Sequence, residues 1–148
     1  VVSLPSPREL YATVIHPQIE IKTADSRRIL KSSLSLKDAI TQWGNVGGLV
    51  AGLYREDYEL IGRSLQDVVI EPVRSILIPG FDEIKAAALN AGALGCGISG
   101  SGPSVFALSI GADKAHEVAQ QLKEVYTPMG IPFDIHISNI NEKGVYPT

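Results

Sequence analysis

The chain has 148 residues, 45% of them apolar and 20% charged, with a net charge of −3. That balance suits one globular domain over residues 1–148 with a core of its own. It gives no field favouring nucleic acid or an anionic membrane, no apolar run long enough to span a bilayer, and, with Cys96 the lone cysteine, no internal disulfide.

Val1–Leu10 carries Pro5 and Pro7 and reads as a connecting arm. Ala12–His16 is β-branched enough for a strand, which Pro17 stops by removing a ladder donor. Ile19-Glu20-Ile21 alternates as a short strand would, and Thr23 is placed to cap a short helix over Ala24–Leu30. Ser35, with Asp38 three residues on, opens a longer helix. Leu36, Ala39, Ile40, Trp43, Val46, Val50 and Leu53 fall on one face of it. Gly44, Gly47, Gly48 and Gly52 along it point to close approach by another helix, since each otherwise costs about 1 kcal/mol. Tyr58–Arg74 repeats apolar residues at helical spacing, with Pro72 interrupting its end. Phe81–Ala91 reads as a helix closed by Gly92.

Gly92–Leu108 then holds two apolar runs around Ser99-Gly100-Ser101-Gly102, read as strand, tight connection, strand. A further helix follows Gly111, with Ala115, Val118, Ala119, Leu122, Val125 and Tyr126 as its stripe and Pro128 and Gly130 as its stop. Phe133, Ile135 and Ile137 alternate with polar residues as in a strand with one buried face, and Asn141–Thr148 is a polar edge or loop. Strands at both ends, a central hairpin and amphipathic helices between them predict an α+β fold, an antiparallel sheet covered on one side by helices.

The chemistry these residues support is narrow. His16, His116 and His136 lie too far apart for a zinc pattern, and no metal site is assigned. Gly97-Ile98-Ser99-Gly100-Ser101 fails the nucleophile-elbow pattern at its last position, and a strand follows it where a helix is required. No lysine follows the glycines as a Walker loop demands, and the dinucleotide pattern forced onto Gly95–Gly100 also lacks its helix. No general base is evident, so no catalytic residue is assigned. The Ser99–Gly102 loop, free to take positive φ, suits the capture of a phosphate or carboxylate by backbone N–H groups, and equally a plain hairpin turn. Arg27 and Arg74 each suit a bidentate grip on a carboxylate, and each alone also fits an ordinary surface arginine. Glu71 is a partner for Arg74 or merely exposed. A thiol in an apolar run and the lack of a leader pattern point to a reduced, cytoplasmic setting.

Four segments, in order, resemble the C-terminal half of the homoserine kinases of the GHMP small-molecule kinase family. They are His16-Pro17 through Leu30, Asp67-Val68-Val69-Ile70-Glu71-Pro72-Val73-Arg74, Leu77-Ile78-Pro79-Gly80-Phe81, and Gly97-Ile98-Ser99-Gly100-Ser101-Gly102-Pro103-Ser104. The resemblance implies a ferredoxin-like sandwich and ATP-dependent phosphorylation of L-homoserine. It implies that Thr23, Arg27 and Arg74 line the amino-acid pocket, with the arginines on the substrate carboxylate. It places Gly100, Ser101 and Gly102 beside the substrate and the ATP phosphates. It also implies a homodimer and dependence on Mg²⁺. The family's ATP loop, P-x-x-x-G-L-G-S-S-A, has no counterpart here and belongs to an N-terminal half, so this chain alone is expected to be inactive. A GHMP kinase for another small alcohol, and a non-catalytic module that binds a small effector, remain open alternatives at this point.

Overall fold

The computed structural model describes residues 3–141, with Thr23 and Asp25 described for their backbone alone. Four strands, β1 (Leu10–Pro17), β2 (Gly95–Ile98), β3 (Val105–Ile110) and β4 (Phe133–Asn139), form one antiparallel sheet in the order β2-β3-β1-β4. This is the strand order of the split βαβ arrangement expected from the resemblance. Six helices accompany the sheet: α1 (Thr23–Arg28), α2 (Leu36–Arg55), α3 (Tyr58–Ser64), α4 (Glu71–Arg74), α5 (Phe81–Asn90) and α6 (Ala112–Tyr126).

Alternation decides the faces of the sheet. On β3, Val105, Ala107 and Ser109 are buried, while Phe106 and Leu108 point the other way. Val105 and Ala107, with Ile15 of β1 and Cys96 of β2, meet Ile84 and Ala88 of α5 and Val118, Leu122 and Tyr126 of α6. Full burial of an aliphatic side chain such as Ile84 or Leu122 contributes about 1.5–3 kcal/mol. Two polar ties fix the layer. Thr13 donates to the Ala115 carbonyl at 3.0 Å, and the Tyr126 hydroxyl donates to the Pro79 carbonyl at 2.9 Å. Burial pushes the Tyr126 hydroxyl up to about 12.

The opposite face is bare over β4, where Asp134, His136 and Ser138 are exposed. Toward β2 it is approached by the α2–α3 pair. Glycines without side chains allow this. A Cβ on Gly95 would lie 2.5 Å from Leu65 Cβ, and one on Gly48 only 2.4 Å from Ser64 Oγ. The close approach predicted for α2 therefore holds at Gly48 and Gly52, whereas Gly44 and Gly47 look onto open space.

Several sequence expectations are corrected. Of the apolar stripe on α2, Ala39 is buried and Val50 and Leu53 are partly buried, but Leu36, Ile40, Trp43 and Val46 are all more than half exposed, at 70, 57, 66 and 56%. The stretch Tyr58–Arg74 is two helices, because Asp57 caps α3, which ends at Ser64, and α4 starts separately at Glu71, after Asp67 has turned the N–H groups of residues 69–71 toward its carboxylate. Ile19-Glu20-Ile21 pairs with no strand, and the first short helix begins at Thr23 itself and ends at Arg28. Ser35 is the N-cap of α2 as expected, accepting from the Asp38 N–H at 3.1 Å. Apart from Asn141, the expected C-terminal edge or loop lies outside the described residues, as do the first two residues of the arm.

Candidate functional site

The site forms where three distant segments meet at one end of the sheet. The first is α1. The second is α4, a single turn that begins because Asp67 collects the backbone N–H groups of Val69, Ile70 and Glu71 at 2.9, 2.8 and 3.1 Å. Gln42 and Asn45 of α2 support the same loop: Gln42 accepts from the Val68 N–H at 3.0 Å, and Asn45 donates to the Gln66 carbonyl at 2.8 Å. The third is the Ser99–Ser104 bend between β2 and β3, closed by Ser99 N–H to the Ser104 carbonyl at 2.8 Å and Gly102 N–H to the Ser99 carbonyl at 3.1 Å.

Arg74 ties the three together. Its Nε donates to the Ser26 carbonyl and its Nη1 to the Gly100 carbonyl, both at 3.3 Å. Ser26, fully buried, donates its hydroxyl to the Ser101 carbonyl at 3.5 Å. The rest of the half-buried guanidinium fork meets no side-chain acceptor among the described residues, so it can take one oxygen or two from a ligand. Beside it the exposed Gly100 has φ +62° and Gly102 φ +79°. The N–H groups of Gly100 and Ser101 have no backbone acceptor among the described residues. Open N–H donors next to a guanidinium make a seat for an anion.

Of the residues singled out from sequence, Arg74, Gly100, Ser101 and Gly102 are thus neighbours. Arg27 follows the buried Ser26 on α1, is exposed, and makes no side-chain hydrogen bond among the described residues. The Thr23 backbone opens the same helix, and its side chain lies outside the described part. Glu71 departs from both roles considered for it. Its side chain is only 12% exposed and forms an ion pair with Lys85 of α5. Burial is the main reason the Cys96 thiol is pushed up to about 12, with nearby Lys85 opposing and Glu71 adding to it.

Sequence reasoning missed Ser26, Asp67, Lys85 and the contact of His16 Nδ1 with Ser104 Oγ at 2.8 Å. Asp67 alone left a local signal, a carboxylate just before a turn with Pro72 in its first positions. Asp67→Ala is expected to cost about 1–2 kcal/mol, as loss of a cap does. Denaturant midpoints would show it, and Asp67→Asn, which keeps one acceptor oxygen, should recover most of the loss.

Beyond α4 lies a cleft of about 500 Å³ lined by Leu30, Ser35, Asp38, Val69 and Pro72 among others. No three His, Cys, Asp or Glu side chains among the described residues gather into a metal-holding group. No helix among them is long and apolar enough to cross a membrane.

The family model for "GHMP kinases C terminal" matches residues 49–127, just over half of the chain, and the chain belongs to that family. Among its relatives, the homoserine kinases of Chlorobium phaeovibrioides and Chloroherpeton thalassium are 48% and 50% identical to it over 145 and 144 residues. Each alignment covers 97% of this chain and 45% of the relative. The crystal structure of homoserine kinase from Cytophaga hutchinsonii matches at a TM-score of 0.93 and 55% identity, over 95% of this chain and 45% of that one. The chain therefore spans a little under half the length of the relatives it matches.

Proposed function

We propose that this chain is the acceptor-binding half of a homoserine kinase, which transfers the γ-phosphoryl group of ATP to the hydroxyl of L-homoserine. The product, O-phospho-L-homoserine, would stand on the route to threonine, and the setting would be cytoplasmic. The observation that carries this reading is the Arg74 fork, anchored on Ser26 and Gly100 with donors to spare beside the open N–H groups of Gly100 and Ser101. Similarity to homoserine kinases supports the choice of acceptor.

In this reading Arg74 and Arg27 hold the substrate carboxylate, Thr23 lines the pocket, and Gly100, Ser101 and Gly102 form the wall between acceptor and polyphosphate. The bend fits a phosphate oxygen because the N–H groups of Gly100 and Ser101 are open and Gly100 carries no side chain to block them. ATP supplies the phosphoryl group. Transfer of that group is chiefly a matter of alignment and charge stabilisation, which rigid backbone donors and an anchored guanidinium provide. Among the described residues no group of three His, Cys, Asp or Glu side chains gathers that could cage Mg²⁺, so no step is assigned to an ion held here. We assign the ion and most nucleotide contacts to the remainder of the longer protein.

The test is ADP release by the longer protein. It is expected with L-homoserine, and the 148-residue chain alone is expected to release none. Turnover of another small alcohol far ahead of L-homoserine would overturn the assignment.

A further inference from the structure

α4 is one turn of four residues, too short to hold its place by its own hydrogen bonds. Its first residue is Glu71 and its last is Arg74. Three residues apart is a spacing at which an acidic and a basic side chain on a helix meet and pair. Here they do not. Arg74 donates to the Ser26 and Gly100 carbonyls, and Glu71 pairs with Lys85 of α5. The Glu71 carboxylate lies beside the backbone of β2, where a Cβ on Gly97 would stand 3.4 Å from its Oε2. The Lys85 ammonium is steadied in turn by the Phe81 ring, 5.9 Å from its centroid.

The two partners are not equally dependent on each other. The Glu71 side chain is 12% exposed against 26% for Lys85, so water can serve a lone Lys85 and serves a lone Glu71 poorly. Without Lys85, the cation that the turn itself offers to Glu71 is Arg74. A guanidinium binds a carboxylate through two parallel bonds between opposite charges, which outweigh single bonds to two neutral carbonyls. The fork would then leave Ser26 and Gly100 and close on Glu71.

We propose that Lys85 is a positioning residue for the acceptor site: by occupying Glu71 it keeps the Arg74 fork free for a ligand carboxylate, an assignment that rests on the kinase reading of that fork. Lys85 acts through Glu71 alone. If the ion pair only braced α4, loss of either partner would do equal harm. With Lys85 holding Glu71 off the fork, loss of Lys85 harms the site, loss of the Glu71 charge does little, and loss of both does little more.

Steady-state kinetics of the longer protein read this order. Lys85→Met is expected to raise the KM for L-homoserine about tenfold or more, with kcat and the KM for ATP changed less than about twofold. Glu71→Gln should raise the KM for L-homoserine less than about threefold, and the double variant Lys85→Met/Glu71→Gln should return to that level instead of adding to the damage. Lys85→Arg, which keeps the charge, should behave as the parent protein does. An unchanged KM in Lys85→Met overturns the proposal, and so does a double variant or a Glu71→Gln variant as impaired as Lys85→Met. Should Lys85→Met fail to fold, Lys85→Gln takes its place with the same expected order. Arg74 also gives a readout that needs no turnover. Its Nε–H NMR resonance in the longer protein, identified by its loss in Arg74→Ala, should shift in Lys85→Met and return in the double variant. That pattern in a protein that does not phosphorylate L-homoserine would remove the kinase reading and keep the hold of Lys85 on Glu71. A resonance unmoved in Lys85→Met, in a protein that does phosphorylate L-homoserine, overturns the role of Lys85 and leaves the kinase reading in place.

Discussion

Replacing Arg74 by alanine is expected to raise the KM of the longer protein for L-homoserine about 30- to 150-fold. The estimate follows from about 2–3 kcal/mol for charged hydrogen bonds to a substrate carboxylate, at ~1.4 kcal/mol per tenfold. Two features make Arg74 the residue to test. Its fork is already oriented by the Ser26 and Gly100 carbonyls, so little side-chain freedom is lost when a ligand arrives. It also joins α1 to the glycine bend, so its removal loosens both walls of the pocket. Arg74→Lys should rescue little, since one ammonium cannot reach both carbonyls and still present a planar pair of donors. Steady-state kinetics with L-homoserine varied at saturating ATP would measure this, and an unchanged KM would remove Arg74 from carboxylate binding.

The second large effect is expected at Gly102, and the contrast with Gly100 is the informative part. Both have positive φ, which costs a residue bearing a Cβ about 1–2 kcal/mol. At Gly100 that is the whole cost, because nothing lies within 4 Å of a Cβ placed there. At Gly102 the Cβ would stand 3.2 Å from Ile78 Cδ1, with Ile98 and Ile21 also near. Gly102→Val adds two further methyl groups to that crowded corner, and overpacking adds about 1–3 kcal/mol. Gly102→Val should therefore lower stability by about 2–5 kcal/mol and Gly100→Ala by about 1–2 kcal/mol, both read from denaturant midpoints. Equal losses in the two variants would show that the Ile78 contact does not restrict the bend.

How much of this was legible in the sequence depends on the range of the interaction. The β2–bend–β3 hairpin, α6 and β4 follow from local period and from glycine and proline punctuation, and they stand where expected. The break between α3 and α4 did not, because Val68 and Val69 continue the helical spacing of Ile61 and Leu65 while Asp67 turns the backbone N–H groups onto itself. Period also says that α2 has an apolar stripe without saying which side the core takes, and here the stripe with Trp43 took the outside. Arg74 was found through the chemistry of its fork and the resemblance of its segment. Its anchors could not be found that way. Ser26 lies 48 residues before it and Gly100 26 residues after it, and nothing in the chain announces either pairing. The same holds for Lys85, which takes Glu71 away from Arg74 across 14 residues.

The order β2-β3-β1-β4 has a consequence for synthesis. β1, among the earliest parts of this chain to leave the ribosome, is an inner strand with neighbours on both sides. Those neighbours, β3 and β4, are translated well after it, from residues 105–139. Until then its backbone donors and acceptors have no partner in the finished sheet, and a foreign strand can add to either edge. The nascent chain therefore has a window in which chaperone shelter matters more for this domain than for one whose first strand pairs with its second.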